Sequence, residues 1–154
     1  FSNLCNFKCR SCGPIFSSNW FGDHVKLYGK APDVLKRPMA RVEYTTGDED
    51  GMLEQMEEHI PYLEQVYFAG GEPLIMKEHY YLLERLIDLG KTDVRLIYNT
   101  NFSEMRYKKK HVFDYWKKFK TVNVGASLDG SGPQAELIRK GADWKQTEDN
   151  RLFL

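Results

Sequence analysis

The clearest structural signal in this chain is Gln65-Val66-Tyr67-Phe68-Ala69-Gly70-Gly71-Glu72-Pro73. Its first five residues form a short run rich in β-forming side chains, which is typical of a buried strand, and the two glycines stop that strand. An amphipathic pattern follows from His79 to Leu89, with Gly90 placed to end the helix. A strand, a glycine turn and a helix in this order indicate one βα unit.

The same alternation continues on both sides of this unit. Strands are predicted over 93–98 and 121–128, and helices over 52–63, with Pro61 ending or kinking the helix, 112–119, from about 134 into 139, and 144–154. Residues 13–50 favour a long loop with one short helix around 20–28. The alternation predicts an α/β fold of parallel strands joined by right-handed crossovers.

Composition excludes several classes of protein. The 154 residues are 42% hydrophobic, as in a folded domain, and the formal net charge is zero. We therefore expect neither a nucleic-acid partner nor an anionic membrane surface, and no apolar run approaches the roughly 18 residues of a membrane span. Because no signal peptide is visible and the cysteine count is odd, reduced cysteines and a cytoplasmic location are expected.

Three histidines on or beside helices, His59, His79 and His111, are predicted to be surface residues.

Small or polar residues end each predicted strand. They are Gly70-Gly71-Glu72, Asn99-Thr100-Asn101 and Ser127-Leu128-Asp129-Gly130. Because parallel strands end at one edge of a sheet, these three tips are predicted to face a single site.

A cysteine stretch, Cys5-Asn6-Phe7-Lys8-Cys9-Arg10-Ser11-Cys12, is predicted to join the same site after a first strand that is mostly missing. Its C-x3-C-x2-C spacing places three thiols close enough to hold one soft metal centre with a coordination position left open. An iron–sulfur cluster and a structural zinc site with His24 as the fourth ligand both satisfy the cysteines alone. Both interpretations stay open at this point.

The two glycines after the central strand bear on the choice. Gly70 and Gly71 let the backbone approach a ligand closely, because no Cβ intervenes. Glu72 is then expected to present a carboxylate beside the metal site, which suits an ammonium group. The structural alternative is a simple turn with Glu72 as a charge at the start of a helix.

Taken in order, the cysteine stretch, Gly70-Gly71-Glu72-Pro73, Asn99-Thr100-Asn101 and Ser127-Leu128-Asp129-Gly130 resemble the radical S-adenosylmethionine (radical SAM) enzymes. The chain is most similar to the branch that carries a C-terminal SPASM or shorter twitch cluster domain. The resemblance covers residues 1 to about 140 and implies a partial (βα)6 TIM-like barrel. With no initiator Met and an apolar end, the chain is expected to be a fragment of the core domain, over residues 1–154, that lacks the last βα units.

The resemblance also implies the cofactors and their ligands. A [4Fe–4S] cluster would bind Cys5, Cys9 and Cys12, and S-adenosylmethionine would chelate the fourth iron. Its amino group would meet Gly70, Gly71 and Glu72, its sugar or methionyl end would meet Ser127 and Asp129, and Arg139 would pair with its carboxylate. Asn101 is a further expected cofactor contact. Ser11 departs from the family, because an aromatic residue often occupies that position.

The implied reaction is reductive cleavage of S-adenosylmethionine to a 5′-deoxyadenosyl radical that abstracts hydrogen from a substrate. A flavodoxin- or ferredoxin-type electron donor is the expected partner. The substrate, a peptide or a small molecule, is not named by this sequence. The alternative function is a zinc-stabilised binding module without enzymatic activity.

Overall fold

A three-stranded parallel sheet backed by helices forms the centre of the protein in a computed structural model, which describes residues 2–30, 33–34, 37–38 and 49–153. Its helices are α1 (Phe21–Tyr28), α2 (Glu49–Glu57), α3 (Lys77–Asp88), α4 (Val112–Trp116), α5 (Gly132–Ile138) and α6 (Trp144–Arg151). Its strands are β1 (Lys8–Cys9), β2 (Asp33–Val34), β3 (Arg37–Pro38), β4 (Gln65–Phe68), β5 (Arg95–Thr100), β6 (Arg106–Tyr107), β7 (Lys110–His111), β8 (Val122–Ala126) and β9 (Arg139–Lys140).

The central sheet has the order β4-β5-β8, with both pairs parallel. Phe68 pairs with Tyr98, which pairs in turn with Val124, so the three strands end at one edge. Short antiparallel pairs, β2–β3 and β6–β7, lie outside this sheet. The predicted α/β class and parallel strands are thus confirmed within the described residues.

The hydrophobic core lies on one face of the sheet, against α3 and α4. Leu96 and Tyr98 of β5 are fully buried there, as are Leu83 and Leu86 of α3. On the opposite face of β5, Ile97 is half-buried and Asn99 is exposed. The two faces of β5 therefore differ in burial, and the core lies on one of them.

Most predicted boundaries lie within a few residues of the observed ones. Pro61 stands in a 3-10 turn, Ile60–Tyr62, just after α2 ends, and Gly90 takes a left-handed conformation (φ 70°) after α3. The β5 strand ends two residues later than predicted, because Thr100 still pairs with Ala126. Within the predicted loop over 13–50, α1 confirms the short helix around 20–28, while residues 31–32, 35–36 and 39–48 lie outside the described residues.

Two expectations about helices and surfaces are wrong. Arg139 lies in β9 rather than in the preceding helix, which ends at Ile138. His79 is fully buried, because its ring packs between Phe68, Tyr80 and Tyr98 and its Nε2 lies 2.9 Å from the Tyr98 hydroxyl.

The cysteine stretch does not follow a strand of the central sheet in the part of the chain that is described. Instead it contains β1, which pairs antiparallel with β9, so that Cys9 lies opposite Arg139. Residues from the far end of the chain therefore hold the cysteine stretch in place. Among the described residues, no helix has the length and apolar character needed to cross a membrane.

Candidate functional site

The turn formed by Gly70 and Gly71 after β4 lies against Leu4, the residue directly before the cysteine stretch. Both glycines have positive φ, 82° and 51°, which other residues adopt at a cost. A Cβ on Gly71 would lie 2.3 Å from the Leu4 carbonyl oxygen, which also accepts a 2.7 Å hydrogen bond from the Glu72 amide. The two glycines thus permit a close backbone approach between two parts of the chain, and the predicted approach to a ligand stays a prediction.

The Glu72 side chain points into the protein. Its Oε1 accepts from Thr100 Oγ1 at 2.6 Å and from the Leu74 amide at 3.1 Å, and its Oε2 accepts from the Asn101 amide at 2.7 Å. Burial raises the pKa of this carboxyl group, against the effect of these donors. Glu72 therefore joins the tips of β4 and β5, and its carboxylate is not displayed toward a ligand as the sequence led us to expect.

Asn101 joins the tip of β5 to the cysteine stretch. Its Nδ2 donates to Asn6 Oδ1 at 2.8 Å, and its Oδ1 accepts from both the amide and the hydroxyl of Ser103. Asn6 in turn donates to Ser103 Oγ at 2.9 Å. Sequence reasoning missed Asn6, although a polar amide between two candidate metal ligands was a signal worth following.

The tip of β8 reaches the same edge. The Ser127 amide donates to the Thr100 carbonyl at 2.8 Å, which places Ser127 beside the β5 tip. Asp129 has a left-handed backbone (φ 58°) and an exposed side chain. Its Oδ2 lies 2.7 Å from Nη2 of Arg139, so these two predicted residues are paired with each other.

Arg139 also contacts the cysteine stretch. Its Nη1 lies 3.7 Å from the Cys9 sulfur, within hydrogen-bonding distance for sulfur, and its side chain is only 13% exposed. The structure therefore brings together every predicted site region: the cysteines, the glycine turn, Asn101, Ser127, Asp129 and Arg139. The pairing of Arg139 with Asp129 and Cys9 was not anticipated.

The three cysteines carry free thiols. Burial raises the pKa of Cys9 to about 11, although the Arg139 guanidinium acts in the opposite direction, and burial also raises the pKa of Cys5. Both thiols are therefore protonated at neutral pH, and metal uptake would release protons.

The donor set can be compared with the group that the sequence suggests. Three free thiols on one loop, with a guanidinium beside one of them, fit a soft iron–sulfur centre by their chemistry. In the described part of the chain, however, no three His, Cys, Asp or Glu side chains lie close enough together to hold a metal ion. Pairing with β9 holds the cysteine stretch in place, and uptake would have to bring the three sulfur atoms closer together.

A family model described as the Radical SAM superfamily matches residues 1–150. This chain belongs to the radical SAM superfamily. Membership indicates an S-adenosylmethionine-dependent radical enzyme, and members normally use a [4Fe–4S] cluster with S-adenosylmethionine. Neither the curated proteins nor the solved structures include a significant match to the chain.

Further contacts hold the cysteine stretch of this radical SAM protein. Ser17 Oγ donates to the Phe7 carbonyl at 2.6 Å, and Trp20 Nε1 donates to the Cys9 carbonyl at 3.2 Å. Lys8 and Asp23 form an ion pair at 2.8 Å. Because α1 supplies Asp23 and is preceded directly by Trp20, this short helix and the residue before it also hold the stretch in place.

His24, the candidate fourth ligand of a zinc site, lies on α1. Its ring contacts Tyr28 with 4.6 Å between the ring centroids. It does not converge with the cysteines into a metal-binding group among the described residues. The geometry therefore gives the zinc alternative no support beyond the cysteines themselves.

Proposed function

We propose that this chain is the core of a radical SAM enzyme that holds a [4Fe–4S] cluster through Cys5, Cys9 and Cys12. S-adenosylmethionine would bind at the strand tips beside the cluster. The family match over residues 1–150 supports the class of enzyme. The residues assigned to the cofactors rest on the motifs and on their positions in the fold.

One observation carries the proposal, namely the continuous set of hydrogen bonds that connects the strand tips to the cysteine stretch. Glu72 binds the β5 tip, Asn101 binds Asn6, and Arg139 links Asp129 to Cys9. A site for a cluster and a second cofactor needs such a rigid frame, because both must be held in a fixed relative position.

When bound, the reduced cluster supplies the electron that cleaves S-adenosylmethionine to methionine and a 5′-deoxyadenosyl radical, which abstracts hydrogen from the substrate. In this proposal the backbone carbonyls of Gly70 and Gly71 receive the amino group, because the Glu72 carboxylate is occupied by three internal donors. Ser127 lies beside the β5 tip, where it can contact the sugar or the methionyl end.

Arg139 retains one donor for a carboxylate. Its Nε is buried and has no hydrogen-bond partner in the described part of the chain, while its other two nitrogens face Asp129 and Cys9. An unpaired buried donor costs about 1–3 kcal/mol, so a carboxylate that reached it would be bound favourably.

Several finer statements belong to the same proposal. The three parallel strands are taken as part of a (βα)6 barrel over a core domain that spans residues 1–154. A SPASM or twitch domain, a flavodoxin- or ferredoxin-type electron donor, a peptide or small-molecule substrate and a cytoplasmic location are proposed from the motif resemblance.

Metal loading tests the proposal directly. The protein is incubated anaerobically with iron and sulfide, desalted and analysed for iron, sulfide and absorbance near 400 nm. We expect about four irons and four sulfides per chain, on the stoichiometry of a [4Fe–4S] centre. Cys9→Ala should abolish stable loading, whereas Ser11→Ala, an exposed position in the same loop, should not.

The same experiment, with zinc measured as well, distinguishes the iron–sulfur cluster from the zinc alternative. Stoichiometric zinc in the purified protein, with no iron uptake and with a loss of zinc in His24→Ala, would refute the radical SAM assignment of these cysteines. It would establish instead a zinc-stabilised module.

A further inference from the structure

The pairing of β1 with β9 places a cation beside one proposed cluster ligand. Cys9 lies opposite Arg139, and the Arg10 amide donates to the Ile138 carbonyl at 2.8 Å to anchor the pair. The contact joins residues 130 positions apart and does not follow from their order in the chain. Arg139 therefore contacts a residue that is proposed to bind the cluster.

The guanidinium is held in one orientation. Asp129 Oδ2 accepts from its Nη2 at 2.7 Å, and Nη1 lies 3.7 Å from the Cys9 sulfur. Because the side chain is 13% exposed, water competes weakly for these donors. Because the guanidinium is planar and its Nη2 is bound by Asp129, its Nη1 is directed at the Cys9 sulfur.

A donor on a ligand sulfur changes the electronics of an iron–sulfur centre. Reduction adds negative charge to the cluster and its sulfurs, so an N–H donor and a nearby positive charge stabilise the reduced state more than the oxidised state. The reduction potential rises as a result. Asp129 acts in the opposite direction, because its negative charge offsets part of the guanidinium charge.

We propose that Arg139, held by Asp129, donates an N–H to the Cys9 sulfur of the loaded protein and thereby raises the reduction potential of the cluster. Arg139 is thus a positioning residue for the cluster, in addition to any contact with S-adenosylmethionine. This inference rests on the proposed function, since it requires a cluster on Cys9.

The test is a redox titration of the reconstituted full chain without S-adenosylmethionine, followed by electron paramagnetic resonance of the reduced cluster. Arg139→Gln should shift the midpoint potential to a more negative value. Arg10→Gln is the matched control, because it removes the same charge from an exposed position next to Cys9. Its shift should be clearly smaller.

Two further variants give the expected order. Asp129→Asn should shift the potential to a more positive value, because it removes the opposing charge while the amide oxygen of asparagine can still accept from Arg139 Nη2. Arg139→Lys should lie between the wild type and Arg139→Gln, since lysine keeps the charge without the planar fork. If Arg139→Gln fails to hold a cluster, these two variants decide the question by their opposite signs.

The outcomes separate this inference from the proposed function. Equal shifts in Arg139→Gln and Arg10→Gln, or no shift in either direction for Asp129→Asn and Arg139→Lys, would overturn the inference while leaving the cluster assignment intact. A wild-type protein that takes up no iron would refute the proposed function, and the inference with it.

Discussion

Replacing Gly71 by alanine tests whether the glycine turn positions the cysteine stretch. Gly70 supplies the control, because it is the adjacent residue and also has a positive φ, of 82°. A Cβ on Gly70 would find its nearest neighbour, the Ser2 carbonyl, at an ordinary 3.9 Å. A Cβ on Gly71 would lie 2.3 Å from the Leu4 carbonyl. The two variants share the backbone strain, and only Gly71→Ala creates the clash.

The magnitudes follow from these contacts. A left-handed conformation costs an alanine about 1–2 kcal/mol, and both variants incur this cost. In Gly71→Ala the Leu4 backbone must also move away, which breaks the 2.7 Å bond from Glu72 to the Leu4 carbonyl and adds about 1–1.5 kcal/mol. We therefore expect a loss of about 3 kcal/mol for Gly71→Ala against about 1.5 kcal/mol for Gly70→Ala.

Urea unfolding, followed by far-ultraviolet circular dichroism and tryptophan fluorescence, measures both values. The midpoints should separate while the dependence on urea concentration stays unchanged, because the variants alter the native state locally. The effect of alanine on the unfolded chain is the same in both and cancels in the comparison. A difference below about 0.5 kcal/mol would contradict the close approach between Gly71 and Leu4.

Two further predictions concern stability. Burial lowers the pKa of His79 to about 3. As the pH falls below about 6.5, the His79 ring is protonated in the unfolded chain but stays neutral in the folded protein. The free energy of unfolding should therefore decline from about pH 6.5 toward pH 3, by on the order of 4 kcal/mol. Unfolding at several pH values checks this, and His79→Gln should flatten the decline, whereas an unchanged slope would count against a buried neutral ring. Leu83→Ala should cost about 2–5 kcal/mol, because this side chain is fully buried in the core. The exposed Leu27→Ala should change the free energy of unfolding by less than about 0.5 kcal/mol, and equal effects of the two would show that the core is misassigned.

The elements of this protein follow from local signals. The run from Gln65 to Phe68 is short and rich in β-forming residues, and Gly70 directly stops it. Pro61 and Gly90 mark helix ends by the conformations that their backbones favour. Such signals act within a few residues, so the three strands of the central sheet, the longer helices and the parallel order could be predicted from the sequence, whereas the two-residue strands such as β1 and β9 could not. The meeting of the strand tips follows from that order.

The direction of individual side chains was decided by contacts between distant parts of the chain. Glu72 was expected to face a ligand, but Thr100 and Asn101, about 28 residues later, offer its carboxylate three donors together with Leu74. His79 was expected at the surface, but Phe68 and Tyr98 enclose it.

The cysteine stretch and Arg139 illustrate both the local signals and the contacts between distant parts of the chain. That Cys5, Cys9 and Cys12 lie close together along the chain, and that the tips of β4, β5 and β8 share one edge of the sheet, follows from local spacing and from the alternation of elements. The contact between Arg139 and the Cys9 sulfur depends on the tertiary fold, because an antiparallel pair between β1 and β9 brings two distant parts of the chain together. The register of such a pair depends on the whole fold and leaves no periodic signal in either short strand.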